Sequence, residues 1–177
     1  MKTFFFFLML LPSSFCLTAQ IHTGSVLLGG TAGINTHSED GSSTTLITIS
    51  PSTGFFLSRR LALGTEAEFT VMAGKGPAAK SLGQSLFVRY YYTGSGVARL
   101  FSQVDAGVNI SDLSQAKETT SLVAGLRAGV DVFLNENVAI EGWLGYRRVQ
   151  DIEAKTGVNS VGLNFGVVVF IGCRQEQ

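Results

Sequence analysis

The chain has 177 residues, of which 45% are hydrophobic and only 15% are charged. Thirteen Lys and Arg balance thirteen Asp and Glu, so the formal net charge is zero, and neither a basic stripe nor an acidic tail indicates a nucleic-acid partner. A soluble domain normally carries charge on about a quarter of its residues. The length therefore fits one domain, and the shortage of charge favours a chain that is partly in contact with lipid.

The first nineteen residues are typical of an export signal. Lys2 supplies a positive start, and residues 4–11, FFFFLMLL, form an apolar stretch that is too short to cross a bilayer as a helix. Small residues end the segment at Ala19. We therefore expect residues 1–19 to be removed as a signal peptide and residues 20–177 to form the mature domain.

Cysteine usage excludes a disulfide scaffold. Cys16 lies in the signal, where Phe15 before it makes a lipoprotein anchor the weaker alternative, and Cys173 is then the only cysteine left. One cysteine cannot form an internal disulfide or a cysteine-based metal site. After residue 19 no run approaches 18 apolar residues, so we expect no transmembrane helix. To span a membrane the chain would have to form a closed barrel, the other structure that satisfies every backbone group in lipid.

Eight segments of strand length follow in chain order, separated by polar or glycine-containing breaks. They are rich in Val, Ile, Thr, Phe and Tyr, which strands prefer, and none shows a helical start and stop around a 3.6-residue period. The predicted strands are 24–34, 44–56, 60–72, 82–92, 98–110, 119–133, 137–149 and 158–171.

The breaks between these strands alternate in length. Three are tight turns, at 57–60, 93–97 and 134–137. Four are longer polar loops, at 35–44, 73–81, 111–119 and 150–157. Both chain ends lie on the side of the tight turns. Outer-membrane barrels have the same asymmetry, with short periplasmic turns and longer external loops.

The sixth segment, SLVAGLRAGVDVFL at 121–134, shows why strands are preferred to helices. Its even positions are all apolar, whereas Arg127 and Asp131 both occupy odd positions. A helix would carry two glycines at about 1 kcal/mol each relative to alanine, while a strand places both charges on one face.

Charged residues in the middle of the other strands keep to one phase in the same way, Arg99 among them. That phase is also rich in small residues, contains no lysine and includes the bulky Phe87, Tyr91, Phe133 and Trp143. A solvated face would carry more Lys and Glu, so we predict that this phase fills a narrow lumen with paired charges while the apolar phase faces lipid. The predicted structural network of the lumen comprises Glu66, Glu68, Arg89, Gln103, Asp105, Arg127, Asp131, Glu141, Arg147 and Asn164.

Two further expectations follow from this placement. Asp105 and Glu141, on the strands beside the sixth, are the candidate partners of Arg127. Aromatic residues near strand ends are expected to form girdles at the two membrane interfaces. The predicted girdle residues are Phe55, Phe56, Tyr90, Tyr92, Tyr146 and Phe170.

The order of several motifs resembles the small outer-membrane beta-barrel domain proteins. The motifs are GSVLLGGTAGI at 24–34, TTLITISPSTGFFLSRRLALGTEAEF at 44–69, LFVRYYY at 86–92, LFSQVDAGVN at 100–109 and AGLRAGVDVFLNENVAIEGWLGYR at 124–147.

This resemblance covers about residues 22–171. It implies an all-β fold, an eight-stranded antiparallel up-and-down transmembrane barrel in the cell outer membrane, inserted by the barrel-assembly machinery. The last strand, GLNFGVVVF at 162–170, is similar to the insertion signal of such barrels. The chain departs from the family pattern by continuing past Phe170 instead of ending on an aromatic residue.

The sequence predicts no catalytic, cofactor-binding or metal-binding residues. We expect a structural or interaction role in the envelope, with outer-membrane lipid as a partner and a protein or surface ligand at the four long loops. Eight strands leave an interior about filled by side chains, so an open diffusion pore is not expected. One alternative is a secreted, lipocalin-like soluble barrel that binds a small apolar ligand. The other is a lipid-modifying enzyme of the barrel rim that uses His37 beside Ser38 and Asp40; His22 has no such neighbours.

Overall fold

Eight antiparallel strands form a closed barrel in which each strand pairs with its neighbours in sequence and the last pairs with the first. The computed structural model describes residues 21–39, 42–73, 79–92, 96–113, 119–152 and 157–172. Within these ranges no helix has the length and apolar character needed to traverse a bilayer. The strands are β1 (Val26–Glu39), β2 (Ser42–Phe56), β3 (Leu61–Ala73), β4 (Ala79–Tyr91), β5 (Ala98–Leu113), β6 (Thr119–Phe133), β7 (Val138–Asp151) and β8 (Gly157–Ile171).

The eight predicted strands and the all-β barrel fold are confirmed, but every strand except β6 extends farther than predicted on the side of the long loops. β1 continues to Glu39 and β5 to Leu113, where the predicted strands end at residues 34 and 110. The prediction ended each strand where apolar alternation ends. A ladder needs only backbone groups, so pairs such as Thr36↔Thr45 continue it through polar sequence. The predicted signal peptide and Cys173 lie outside the described residues.

The apolar phase of the strands faces outward. Leu86 on β4 and Val104 on β5 are 67% and 59% exposed, and large apolar side chains are similarly exposed on the other strands. The charged phase faces inward: Arg99 and Asp131, which are partners across β5 and β6, are both buried. The barrel therefore has an apolar exterior and a polar interior, the reverse of a soluble barrel.

A cluster of buried aromatic rings lies in the interior at the end of the barrel that carries the tight turns. The rings of Phe133 and Phe170 are 5.1 Å apart, and Tyr91 lies 5.7 Å from Phe56 and 5.8 Å from Phe101. Ile21, which precedes β1, is buried against the same cluster. We call Ile21, Phe56, Tyr91, Phe101, Phe133 and Phe170 the aromatic plug.

Four of the six predicted girdle residues lie on the outer face. Tyr90 and Tyr92 contact each other edge to face at 5.5 Å near a tight turn, and Phe55 and Tyr146 are also exposed. The prediction is wrong for the other two, Phe56 and Phe170, which are buried in the plug. The reason is strand parity, which overrides nearness to a strand end. Each residue lies an even number of positions from an inward-facing neighbour on its own strand.

Candidate functional site: the polar lumen

The charged residues that share the inward phase form three groups along the lumen. The first lies next to the aromatic plug and is centred on Arg89, which is buried. Its Nη1 contacts the Glu141 carboxylate, its Nε donates to Gln103 Oε1 at 2.8 Å, and the guanidinium lies 4.1 Å from the centre of the Phe101 ring. An ion pair, a hydrogen bond and a cation–π contact therefore hold this guanidinium in place.

Asp131 connects this group to the plug. The Tyr91 hydroxyl donates to Asp131 Oδ2 at 2.7 Å, and the same carboxylate oxygen is 4.0 Å from Arg89 Nη1. Tyr91 thus belongs to the plug through its ring and to the ion network through its hydroxyl, which is how a buried tyrosine satisfies its polar end.

The second group lies farther from the tight turns and is centred on Arg127. Its two terminal nitrogens donate to Glu66 at 2.7 and 2.9 Å, and its Nε is 3.0 Å from Asp105 Oδ1. The guanidinium also lies 4.5 Å from the centre of the Trp143 ring. Both carboxylates are buried, so one arginine neutralises two acids in a space with little access to water.

Only one of the two expected partners of Arg127 is correct. Asp105 contacts it, but Glu141 contacts Arg89 instead, and the bidentate partner is Glu66 from β3 across the lumen. Neighbouring strands were the natural candidates from sequence, but inward side chains in an eight-stranded barrel are long enough to meet across its diameter.

A glycine makes room for the second group. A side chain at Gly125, the partner of Asp105 across β5 and β6, would place its Cβ 2.5 Å from the Asp105 carboxylate. The absence of a side chain there lets Asp105 lie flat against β6 and reach Arg127.

The third group consists of Arg147 and Glu68, whose side chains form an ion pair. Arg147 is 27% exposed, whereas Arg89 and Arg127 are buried. The burial of the groups therefore decreases with distance from the plug.

Arg99 differs from the other lumen arginines. It is buried beside the plug with its guanidinium 5.0 Å from the Phe133 ring, and its three side-chain nitrogens make no hydrogen bond to the residues that the structure describes. Three of the four arginines that share this phase thus lie against aromatic rings at the plug or just beyond it. Stacking of this kind suits a planar guanidinium, in keeping with the absence of lysine.

A cavity of about 600 Å³ begins at the second group, whose Glu66, Asp105 and Arg127 form part of its wall, and extends away from the plug. Its wall combines ion-pair residues with hydroxyl and amide side chains, Asn109 and the predicted network residue Asn164 among them, and with the apolar side chains of Trp143 and Val149. In the described part of the chain no group of three or more His, Cys, Asp and Glu has the arrangement of a metal site.

The structure places neither histidine side chain in the lumen. His22 is exposed before β1, where its backbone nitrogen donates to Ser25 Oγ at 3.1 Å. The backbone of His37 belongs to β1, but its side chain lies outside what the structure describes. The suggested rim chemistry of His37 therefore stays a hypothesis.

Neither protein-family profiles nor curated protein sequences give a match to this chain. Among solved structures it is similar to Neisserial surface protein A, with 20% identity and a TM-score of 0.62 over 83% of this chain and 97% of that one. The N-terminal β-barrel domain of Pseudomonas aeruginosa OprF gives 18% identity and a TM-score of 0.56 over 84% and 98%. The chain therefore has the fold of the small eight-stranded outer-membrane barrels, as the motif resemblance implies.

The Arg127–Glu66 pair gives a direct test of the network. Arg127→Met leaves Glu66 and Asp105 buried without their counter-ion, so we expect it to lower the free energy of unfolding by about 3–5 kcal/mol. Adding Glu66→Gln should restore part of that loss, because the uncompensated charge is removed with its partner. The measurement is urea unfolding in lipid vesicles, followed by Trp143 fluorescence.

Arg148→Met is the matched control for these two substitutions. Arg148 is exposed on the outer face of the same strand as Arg147, so its replacement should change the free energy of unfolding by less than about 0.5 kcal/mol. Strictly additive losses from the two lumen substitutions would contradict the contact seen between them.

Proposed function

We propose that this protein is a small integral β-barrel of the bacterial outer membrane with a structural or interaction role in the cell envelope. The observation that carries the proposal is the apolar exterior of the barrel. Side chains such as Leu126 on β6 and Leu144 on β7 are more than half exposed there, and the charged residues of the same strands point inward. An exterior of this kind is stable only where it meets lipid or another apolar surface.

The same polarity disfavours the soluble alternative. A lipocalin-like barrel that carries a small apolar ligand needs an apolar interior. Here the interior holds Arg89, Arg127 and their carboxylate partners, all of them buried. Burying these groups in a ligand pocket while exposing leucine and valine to water would be unfavourable on both faces.

We further propose that the lumen is filled and does not form an open diffusion pore. The aromatic plug and the group centred on Arg89 lie in series across the narrow barrel. An ion that passed through would have to displace fully buried rings and separate buried ion pairs. The cavity that begins at the second group is then a recess rather than a channel.

The partners proposed for this role follow from the same placement. Outer-membrane lipid covers the exterior, and the barrel-assembly machinery inserts the chain after removal of residues 1–19. On the side of the long loops, β5 continues through residues 111–113, beyond its predicted end at residue 110. A protein or surface ligand would be met at the predicted loop regions 35–44, 73–81, 111–119 and 150–157, and no nucleic acid is involved.

Membrane insertion is tested by solubility and electrophoresis. The protein should remain in the membrane fraction after carbonate washing and require detergent for extraction. Folded samples should migrate differently on a denaturing gel before and after boiling, because the closed ladder of strands resists detergent until heated. Recovery of the protein in the periplasmic fraction without detergent would contradict the proposal.

Conductance tests the filled lumen separately. Heat-shifted, correctly folded protein should give no steady channels in planar lipid bilayers, since the plug and the buried ion pairs block the lumen. An open porin added to the same bilayers is the positive control. Reproducible unitary conductance from the folded protein would show that the lumen is open.

A further inference from the structure

The barrel is joined along only part of the seam between β1 and β8. The ladder runs from Val26↔Ile171 to Ala32↔Phe165, seven residue pairs, although β1 continues to Glu39 and β8 begins at Gly157. In the described ranges, no residue of 33–39 pairs with residues 157–164. On its opposite edge each strand is paired throughout this stretch. β1 pairs with β2 as far as Glu39, and β8 pairs with β7 as far as Gly157. We call the unpaired stretch the lateral gap.

The lateral gap begins within the apolar belt. Seven residues at about 3.3 Å each, tilted by about 45°, rise about 16 Å from the tight-turn end, whereas the apolar band of an outer-membrane barrel is about 25 Å tall. The outer face of β8 beside the gap is apolar, since Val161 and Leu163 are 70% and 58% exposed. Backbone groups left unpaired at that depth cost several kcal/mol each unless a polar group reaches them.

The lumen cavity reaches this gap. Its wall includes residues 158–162 and Asn164 of β8. These residues belong to the stretch of β8 that has no partner on β1. The polar cavity therefore borders the lateral gap.

The charge of the cavity limits what it can hold. Three carboxylates, on Glu66, Glu68 and Asp105, face two guanidinium groups, on Arg127 and Arg147, which leaves one excess negative charge when all are ionised. Both arginines already contact carboxylates within the protein. An anionic group would be repelled, whereas an uncharged or zwitterionic group could use the hydroxyl and amide side chains.

We propose that the cavity and the lateral gap together bind a single-chain amphiphile whose head group is uncharged or zwitterionic. The head group lies in the cavity, within reach of Asn109 and Ser160, and offers hydrogen bonds to the free strand edges. The alkyl chain passes between β1 and β8 and lies against Val161 and Leu163 on the lipid side. The cavity volume of about 600 Å³ is within the range of small-molecule sites. This site rests on the membrane placement proposed above.

The single tryptophan of the chain reports on the cavity, because Trp143 lines it. The probe is lysophosphatidylcholine with bromine atoms on the acyl chain near the head group, added to folded protein in dioleoylphosphatidylcholine vesicles. Bromine quenches tryptophan only at close range, so binding in the cavity should give saturable quenching of at least half the Trp143 emission. An inserted, heat-shifted protein without saturable quenching would overturn the site while leaving the membrane proposal intact. Protein that fails to insert would instead contradict the membrane proposal.

A disulfide across the lateral gap tests whether the alkyl chain passes between β1 and β8. In a Cys173→Ser background, Asn35→Cys with Gly162→Cys places thiols at positions that would face each other if the ladder continued in register. Oxidation should reduce quenching several-fold relative to the same protein in its reduced state. Equal quenching in the two states would overturn lateral access. The matched control is Gly30→Cys with Val167→Cys, a pair already joined in the ladder, whose oxidation should leave quenching unchanged.

Two further measurements complete the test. Ser160→Phe fills the cavity from β8 without any disulfide and should reduce quenching as strongly as oxidation does; undiminished quenching would contradict binding in the cavity. A brominated fatty acid of matched chain length tests the charge argument. It should quench several-fold less than the lysophospholipid, and equal quenching would overturn the proposed head-group preference.

Discussion

The structure depends on one constraint: charged side chains buried in a narrow barrel must be stabilised from inside it, by a carboxylate for three of the lumen arginines and by the Phe133 ring for Arg99. Arg89, Arg127 and Arg147 each contact a carboxylate inside the lumen. Removing one member would leave a charge without partner or water, which is the costly case. Because these pairs join strands distant in sequence, such as β3 with β6, they also fix which strand faces which across the lumen. The apolar residues that alternate with these charges on the same strands face outward and form the exterior.

Much of the fold was predictable because strand parity is a local property. The inward phase of Arg127 and Asp131 can be read from alternation alone, and it places both residues inside the barrel. The same rule, applied strictly, would have placed Phe56 and Phe170 inside as well. Their nearness to strand ends favours the girdle instead, but that is a weaker signal than parity.

The partners across the lumen were not predictable in the same way. The contact of Arg127 with Asp105 joins adjacent strands and follows from neighbourhood, but its contact with Glu66 depends on barrel diameter and strand tilt. The lateral gap was equally hidden, since the polar residues of β1 and the small and polar residues of β8 are compatible with pairing. Only the register between the first and last strands shows where the ladder ends. Both features belong to the closed barrel as a whole and to no single segment.

The most direct test of this account is a cysteine scan along β6 in lipid vesicles. Single cysteines at residues 121–131 would be labelled with a lipid-soluble maleimide, in a Cys173→Ser background. Even positions such as Leu122 and Leu126 should react with the lipid-soluble reagent, and odd positions such as Val123 and Asp131 should be protected, because the former face outward and the latter are buried. A two-residue period in this phase is the predicted result. The opposite phase, or a helical period, would contradict the buried charge network and the apolar exterior together.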